Sequence, residues 1–149
     1  MKLSVQRDDF DLGLEVRNIS RDQRIGAVAS FVGVVREVPM TLEHYPGMTE
    51  NAIGKILEQA KARWQVMDCT VIHRYGELKP GDQIVLVAVA SAHRGDAFAA
   101  CEFIMDYLKT RAPFWKKEQT ADGARWVEAR AADDQAAERW TGARDADAA

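Results

Sequence analysis

Between the turn residues Pro80-Gly81-Asp82 and the pair His93-Arg94 the chain carries an unbroken apolar run, Ile84-Val85-Leu86-Val87-Ala88-Val89. A half-exposed strand alternates polar and apolar residues, so a β-branched run without alternation belongs to a strand inside the core. The segment Gln83 to Ser91 is therefore predicted as a core strand of a sheet that helices cover. A second run, Ile25 to Val35, is also rich in β-branched residues and too continuous for a half-exposed strand. Within it, Gly26 and Gly33 mark bulges or places where another backbone or a ligand comes close.

After Arg36 the segment Glu37-Val38-Pro39 leads to a strand over Met40 to Tyr45, stopped by Pro46-Gly47. A short hairpin is the simplest connection between these two strands. From Thr49 to Trp64, Ile53, Ile56, Leu57, Ala60 and Trp64 recur at helical spacing, with Lys55, Glu58, Lys61 and Arg63 falling toward water. Val66 to Arg74 reads as a strand and Glu77 to Asp82 as a turn. A helix over Asp96 to Thr110 stacks Ala97, Phe98, Cys101, Ile104, Met105 and Leu108 on one face. Pro113 ends it, because the residue before a proline is pushed out of helical geometry, and Lys109 thus sits on the last turn. Arg125 to Arg130 reads as a short strand, and Asp133 as the cap of a final helical turn or two ending near Trp140. With no repeat and no long linker, the expectation is a single α+β domain over residues 1–140. The small polar tail 141–149 has no apolar anchor and is expected to be disordered.

A net charge of −3, from 20 Lys and Arg against 23 Asp and Glu, speaks against a general nucleic-acid binder, so any basic site has to be local. No apolar run approaches the roughly 20 residues of a membrane span, and the first residues lack the apolar region of a signal peptide, which leads to the expectation of a soluble cytoplasmic protein. The two cysteines, Cys69 and Cys101, have no metal-site spacing and are expected to be buried, unreactive thiols. Phosphate-loop, dinucleotide and nucleophilic-serine patterns are missing, as is a metal-spaced cluster of His, Cys and carboxylates, and no cofactor is expected.

The local basic site is legible. His93, Arg94, Lys109, Arg111, Lys116 and Lys117 crowd one amphipathic segment, with Pro113, Phe114 and Trp115 between them. Such a set suits a flat, phosphorylated small molecule. A lysine at a helix C-terminus is ordinarily a partner of the helix dipole. In a dry pocket beside aromatics, however, its pKa falls and its amine becomes available for proton transfer or attack. His93 and Arg94 follow a core strand directly, where α/β arrangements commonly bind ligands, and Arg36 occupies the same kind of place after the first core strand. Arg94 is read as a phosphate fork and His93 as a hydrogen-bond donor or proton carrier. His44 and His73 lie within strands and are read as packed or hydrogen-bonded.

Leu42-Glu43-His44-Tyr45-Pro46-Gly47-Met48, Val71-Ile72-His73-Arg74-Tyr75-Gly76-Glu77-Leu78, Ser91-Ala92-His93-Arg94 and Met105-Asp106-Tyr107-Leu108-Lys109 through Pro113-Phe114-Trp115-Lys116-Lys117-Glu118 resemble the large subunit of molybdopterin synthase, in order and spacing, from about Gly26 to Trp140. The resemblance implies an α/β hammerhead fold and a homodimer. It also implies a small ubiquitin-like subunit at each end, giving a heterotetramer, whose C-terminal Gly-Gly thiocarboxylate enters the large subunit's pocket. The implied reaction converts cyclic pyranopterin monophosphate to molybdopterin by installing two dithiolene sulfurs that come from the partner. The implied pocket comprises Val34, Val35, Arg36, His93, Arg94, Lys109, Lys116, Lys117 and Glu118, with Arg130 a further anion ligand; Lys109 and Lys116 resemble the essential lysines. The rival reading is a non-catalytic adaptor that docks a ubiquitin-like tail. In one departure, only Glu37-Val38-Pro39-Met40 lies between Arg36 and Thr41, where such proteins usually carry a longer, glycine-containing loop.

Overall fold

Strand β6 (Gln83–Ser91) is covered on both faces: Val85, Val87 and Val89 enter one apolar cluster and Leu86, Ala88 and Ala90 another. Successive strand side chains point to opposite faces, so a strand between two cores has no polar positions to show. The computed structural model describes residues 1–120, 123–127 and 131–141. Around β6 lies a mixed sheet in the order β1-β4-β6-β2, where β1 is Lys2–Gln6, β4 is Asp68–Arg74 and β2 is Ala27–Val34. The β1–β4 pair is parallel and the β4–β6 and β2–β6 pairs are antiparallel.

Helix α2 (Met48–Arg63) and helix α3 (Arg94–Arg111) cover one face of this sheet. They bring Ile53, Ile56, Leu57, Phe103, Ile104 and Tyr107 into the larger core. The smaller helix α1 (Leu12–Ile19) covers the other face with Ile19, its start capped by the Asp11 carboxylate accepting from the Leu14 amide at 3.0 Å. Arg63, expected in water, instead lies over the Phe103 ring at 4.8 Å and donates to the Trp140 carbonyl at 2.7 Å. That contact fastens the end of α4 (Ala131–Glu138), which starts ahead of Asp133, so Asp133 lies inside the helix and is not its cap.

A second, antiparallel sheet runs β5-β3-β7-β8, with β5 Gly76–Leu78, β3 Met40–His44, β7 Phe114–Thr120 and β8 Gly123–Val127. The expected hairpin between the first two strands does not form. Strand β2 pairs with β6, whereas β3 pairs with β5 and β7, so residues 35–39 are a crossing from one sheet to the other. The segment Glu77 to Asp82, expected as a turn throughout, gives Glu77 and Leu78 to β5 and turns only afterwards. Phe98, expected on the buried face of α3, is 64% exposed. Two glycine expectations hold: the β2–β6 register shifts between Gly33 and Val34, and the Gly26 amide donates to the Ser91 carbonyl at 3.0 Å. Among the described residues no helix is long and apolar enough to cross a membrane. Tail residues 142–149 lie outside the described residues.

Candidate active site

Helix α3 starts at Arg94, with His93 as an extended N-cap at φ −131°, so the His93-Arg94 pair opens the helix two residues before the expected start at Asp96. Lys109 lies in its last turn. Fifteen residues at a rise of about 1.5 Å place Arg94 and Lys109 about 22 Å apart along the axis. The strands repeat the separation. Because β2 and β6 are antiparallel, Ala27 faces Ser91 at one end and Val34 faces Gln83 at the other. The two core strands that end in cations thus end at opposite edges of the sheet: His93 and Arg94 beyond Ser91, Arg36 beyond Val34.

At the Arg36 edge the backbone is tightly held. The Val35 amide donates to the Asp82 carbonyl and the Gly81 amide to the Val35 carbonyl, both at 2.9 Å. Val35 itself is core, packed with Met40, Leu42 and Leu78, whereas Val34 is 49% exposed. Next, the Val38 amide donates to the Arg36 carbonyl at 2.8 Å across Glu37 at φ +70°, a strained three-residue turn that leaves Arg36 exposed beside the second sheet.

Strand β7 divides the Lys116-Lys117-Glu118 triplet. Leu42 faces Lys116 and Met40 faces Glu118, so both charged residues lie on the side of the sheet that carries its core; Thr41 faces Lys117, which therefore points the other way. Lys116 Nζ pairs with Glu118 Oε1 at 2.9 Å on the inner side. On the outer side Lys117 lines an open cleft of about 340 Å³ with Thr41, Glu77, Lys79 and Asp82. Sequence reasoning missed Thr41, Glu77 and Lys79 because they reach Lys117 only through the β5–β3–β7 register, which is non-local.

Between the sheets sits an aromatic group. The His73 ring stacks on Phe114 at 3.8 Å with 19° between planes; His44 lies 4.4 Å from Tyr75 and 6.3 Å from Phe114. His73 Nδ1 bonds the Arg74 carbonyl at 2.9 Å. Burial pushes the His73 pKa down to about 4; the Arg74 carbonyl resists this, and the charges of Lys109 and His44 add to it. Lys109, in the last turn of α3, is exposed there and not enclosed in the dry pocket that the sequence suggested. His44 Nδ1 is buried without a hydrogen-bond partner among the described residues, 3.8 Å from Glu50 Oε1. Tyr45 meets Trp115 edge-on at 4.0 Å. The structure thus gathers Arg36, Lys109, Lys116 and Glu118 toward one end of the main sheet, puts Lys117 on an outer face, and leaves His93 and Arg94 at the far end. Arg130 lies outside the described residues.

Both cysteines are buried free thiols, and burial pushes each pKa up to about 11. No group of three or more His, Cys, Asp and Glu able to hold a metal occurs among the described residues.

Comparison with known proteins adds an independent line. The family model described as MoaE protein matches residues 5–111. The molybdopterin synthase catalytic subunit of Ralstonia nicotianae is 60% identical over 146 residues, covering 93% of this chain and 83% of its own length. That of Escherichia coli is 53% identical over 146 residues, covering 93% and 97%. Among solved structures, the molybdopterin biosynthesis MoaE protein from Burkholderia ambifaria superposes with a TM-score of 0.83 at 57% identity, covering 95% of this chain and 98% of its own. Molybdopterin synthase from Staphylococcus aureus gives 0.78 at 30% identity over 83% and 95%. A Helicobacter pylori complex of subunits 1 and 2 of molybdopterin-converting factor shares the fold at 0.72 and 20% identity.

Proposed function

The chain belongs to the MoaE protein family, the catalytic subunits of molybdopterin synthase, and we propose that it builds the molybdopterin dithiolene with sulfur delivered by a separate small subunit. The observation that carries this reading is the state of the two cysteines. Both are buried, and with pKa values near 11 neither is a thiolate at neutral pH, so the chain has no sulfur of its own to give. Sulfur has to arrive on a partner. A ubiquitin-like tail ending in a Gly-Gly thiocarboxylate fits, because an extended chain enters a narrow groove by main-chain contacts and presents one sulfur at its tip. Each dithiolene needs two such deliveries.

In this reading Lys109 acts nearest the reacting carbon, Lys116 beside it is oriented by Glu118, and Arg36 holds the phosphate of cyclic pyranopterin monophosphate. His93 and Arg94 serve the same substrate from the opposite sheet edge, which one copy cannot accomplish over about 22 Å of helix. A homodimer solves this if the His93-Arg94 end of one copy abuts the Lys109 end of the other, and a small subunit on each copy completes a heterotetramer. Two buried free thiols suit a reducing cytoplasm.

The test is to mix the protein with thiocarboxylated small subunit and cyclic pyranopterin monophosphate and to measure dithiolene product. Lys109→Ala is expected to lose turnover, and Lys109→Arg to rescue it poorly because a guanidinium stays charged. Arg94→Ala should chiefly weaken substrate binding, by about 1.5 to 3 kcal/mol. Mixing Lys109→Ala with Arg94→Ala protein should restore part of the activity, since half of the sites in a mixed dimer then hold both residues. An inactive wild-type mixture that still binds the small subunit would leave only an adaptor, and failure of the two variants to complement would reject the shared site.

A further inference from the structure

We propose that Thr49 is a positioning residue for the two lysines of the candidate site: its buried hydroxyl, with the Tyr45 ring beside it, fixes the connection that separates Lys109 from Lys116. The inference rests on the reading of those lysines as the amines at the reacting centre.

Lys109 stands in the last turn of α3 and Lys116 in β7, and only Ala112 and Pro113 lie between the two elements. Helical geometry stops at Arg111, because Ala112 is extended at φ −81° and ψ 131°. The placement of one lysine against the other therefore depends on how this connection is held. The connection does little to hold itself. Pro113 has no N–H, so its carbonyl is the one backbone group through which it can bond. That carbonyl accepts from Thr49 Oγ1 at 3.1 Å, a bond across 64 residues of chain.

A carbonyl only accepts, so the hydroxyl proton goes to Pro113 and the lone pairs of Oγ1 stay available. The Tyr45 amide donates to them at 3.1 Å, and the Thr49 amide donates to the Tyr45 carbonyl at 2.9 Å. Thr49 is fully buried, which shields its hydroxyl from replacement by solvent. The same corner grips the strand side of the connection. In the β3–β7 register His44 faces Phe114 and Glu43 faces Trp115, and the Tyr45 ring meets Trp115, next to Lys116, edge-on at 4.0 Å. The Leu42-to-Met48 motif supplies no residue to the implied pocket, and its grip on residues 113–115 gives it a part in the site. A threonine that served only the first turn of α2 would direct its hydroxyl within that turn, whereas this one reaches the connection beyond α3.

Substitutions separate the hydroxyl from the shape of the side chain. Valine at 49 keeps the volume and leaves the Pro113 carbonyl and the Tyr45 amide unpaired; serine keeps the hydroxyl. In the complex with thiocarboxylated small subunit, assayed well below Tm, Thr49→Val should lower kcat about tenfold, inside the roughly hundredfold that a misplacement of about 1 Å can cost. KM for cyclic pyranopterin monophosphate should not change, since Arg36 and Arg94 lie off the connection. Thr49→Ser should stay within about threefold of the wild type, because it restores both bonds. Tyr45 is 48% exposed, so Tyr45→Ala keeps the fold even if Thr49→Val does not. Its loss of the contact on Trp115 should lower kcat about threefold, in line with what one aromatic pair contributes, again with KM unchanged. A Thr49→Val protein with lowered Tm and wild-type kcat, equal kcat losses in the valine and serine variants, or wild-type kcat in Tyr45→Ala would overturn the proposal. Wild-type turnover in both Lys109→Ala and Lys116→Ala would instead reject the reading on which it rests.

Discussion

A Cβ built on Gly26 stands 2.4 Å from the carbonyl oxygen of Ala92, where ordinary van der Waals contact begins at 3.4 Å. Gly26→Ala must therefore push the strand end away by about 1 Å, and the obstacle is backbone, which yields less readily than a side-chain tip. The Gly26 amide is also bonded to the Ser91 carbonyl, so the same movement strains that bond. Overpacking of this kind costs about 1 to 3 kcal/mol. At about 2 to 4 °C per kcal/mol for a domain of this length, Tm should fall by about 2 to 12 °C. Ala92 leads straight into His93 and Arg94, so the displacement reaches the proposed substrate ligands; a misplacement of about 1 Å can cost up to about a hundredfold in rate. Thermal melts and substrate KM, with Gly54→Ala as control, test both steps. Gly54 lies within α2 with nothing within 4 Å of its Cβ position, and its replacement should stabilise by about 0.5 to 1 kcal/mol. A Gly26→Ala protein that melts with the wild type would refute the close approach. One that is destabilised with unchanged KM would remove His93 and Arg94 from the substrate site.

Stability should fall on acidification. His73 titrates near 6.5 when unfolded and at about 4 when folded, so between these values the unfolded chain binds more protons. The loss begins as pH drops below about 6.5, levels off below about 4, and amounts to at most about 3 kcal/mol. Urea unfolding of wild type and His73→Gln should show the shallower pH slope in the variant, and identical slopes would contradict the assignment. Native Cys69 and Cys101, buried and with pKa values pushed up to about 11, should resist a thiol reagent at pH 8 and react once the protein is unfolded; rapid labelling of the native state would contradict their burial. Glu37→Gly should raise Tm, because glycine accepts φ +70° without the steric cost of about 1 kcal/mol that a side chain brings; a lower Tm would mean that the Glu37 side chain holds the crossing together.

What the sequence made legible was local. The Ile84–Val89 run declared a doubly covered strand because burial on both faces removes every polar position, and the Ile53-to-Trp64 pattern declared α2 because one helix face alone is apolar. Strand β7 was not legible: Lys-Lys-Glu-Gln carries no strand signature, and its pairing with β3 decides its state. The start of α3 was hidden because His93 offers no side-chain cap bond of the kind that marks a helix start.

The candidate site shows the same division more sharply. Residue types point to the proposed anion-binding, amine-assisted chemistry, and the order of motifs announced the family. Where each residue lies followed from pairings that no local pattern encodes. Antiparallel pairing of β2 with β6 sends Arg36 and Arg94 to opposite edges although each follows a core strand in the same way. The pleat of β7 turns Lys116 inward and Lys117 outward although they are adjacent in the chain. If both edges serve one substrate, the separation itself demands a second copy, and the complementation of Lys109→Ala by Arg94→Ala becomes a direct reading of sheet topology: parallel β2 and β6 would have put both residues on one edge of one chain, where no mixed dimer could restore activity.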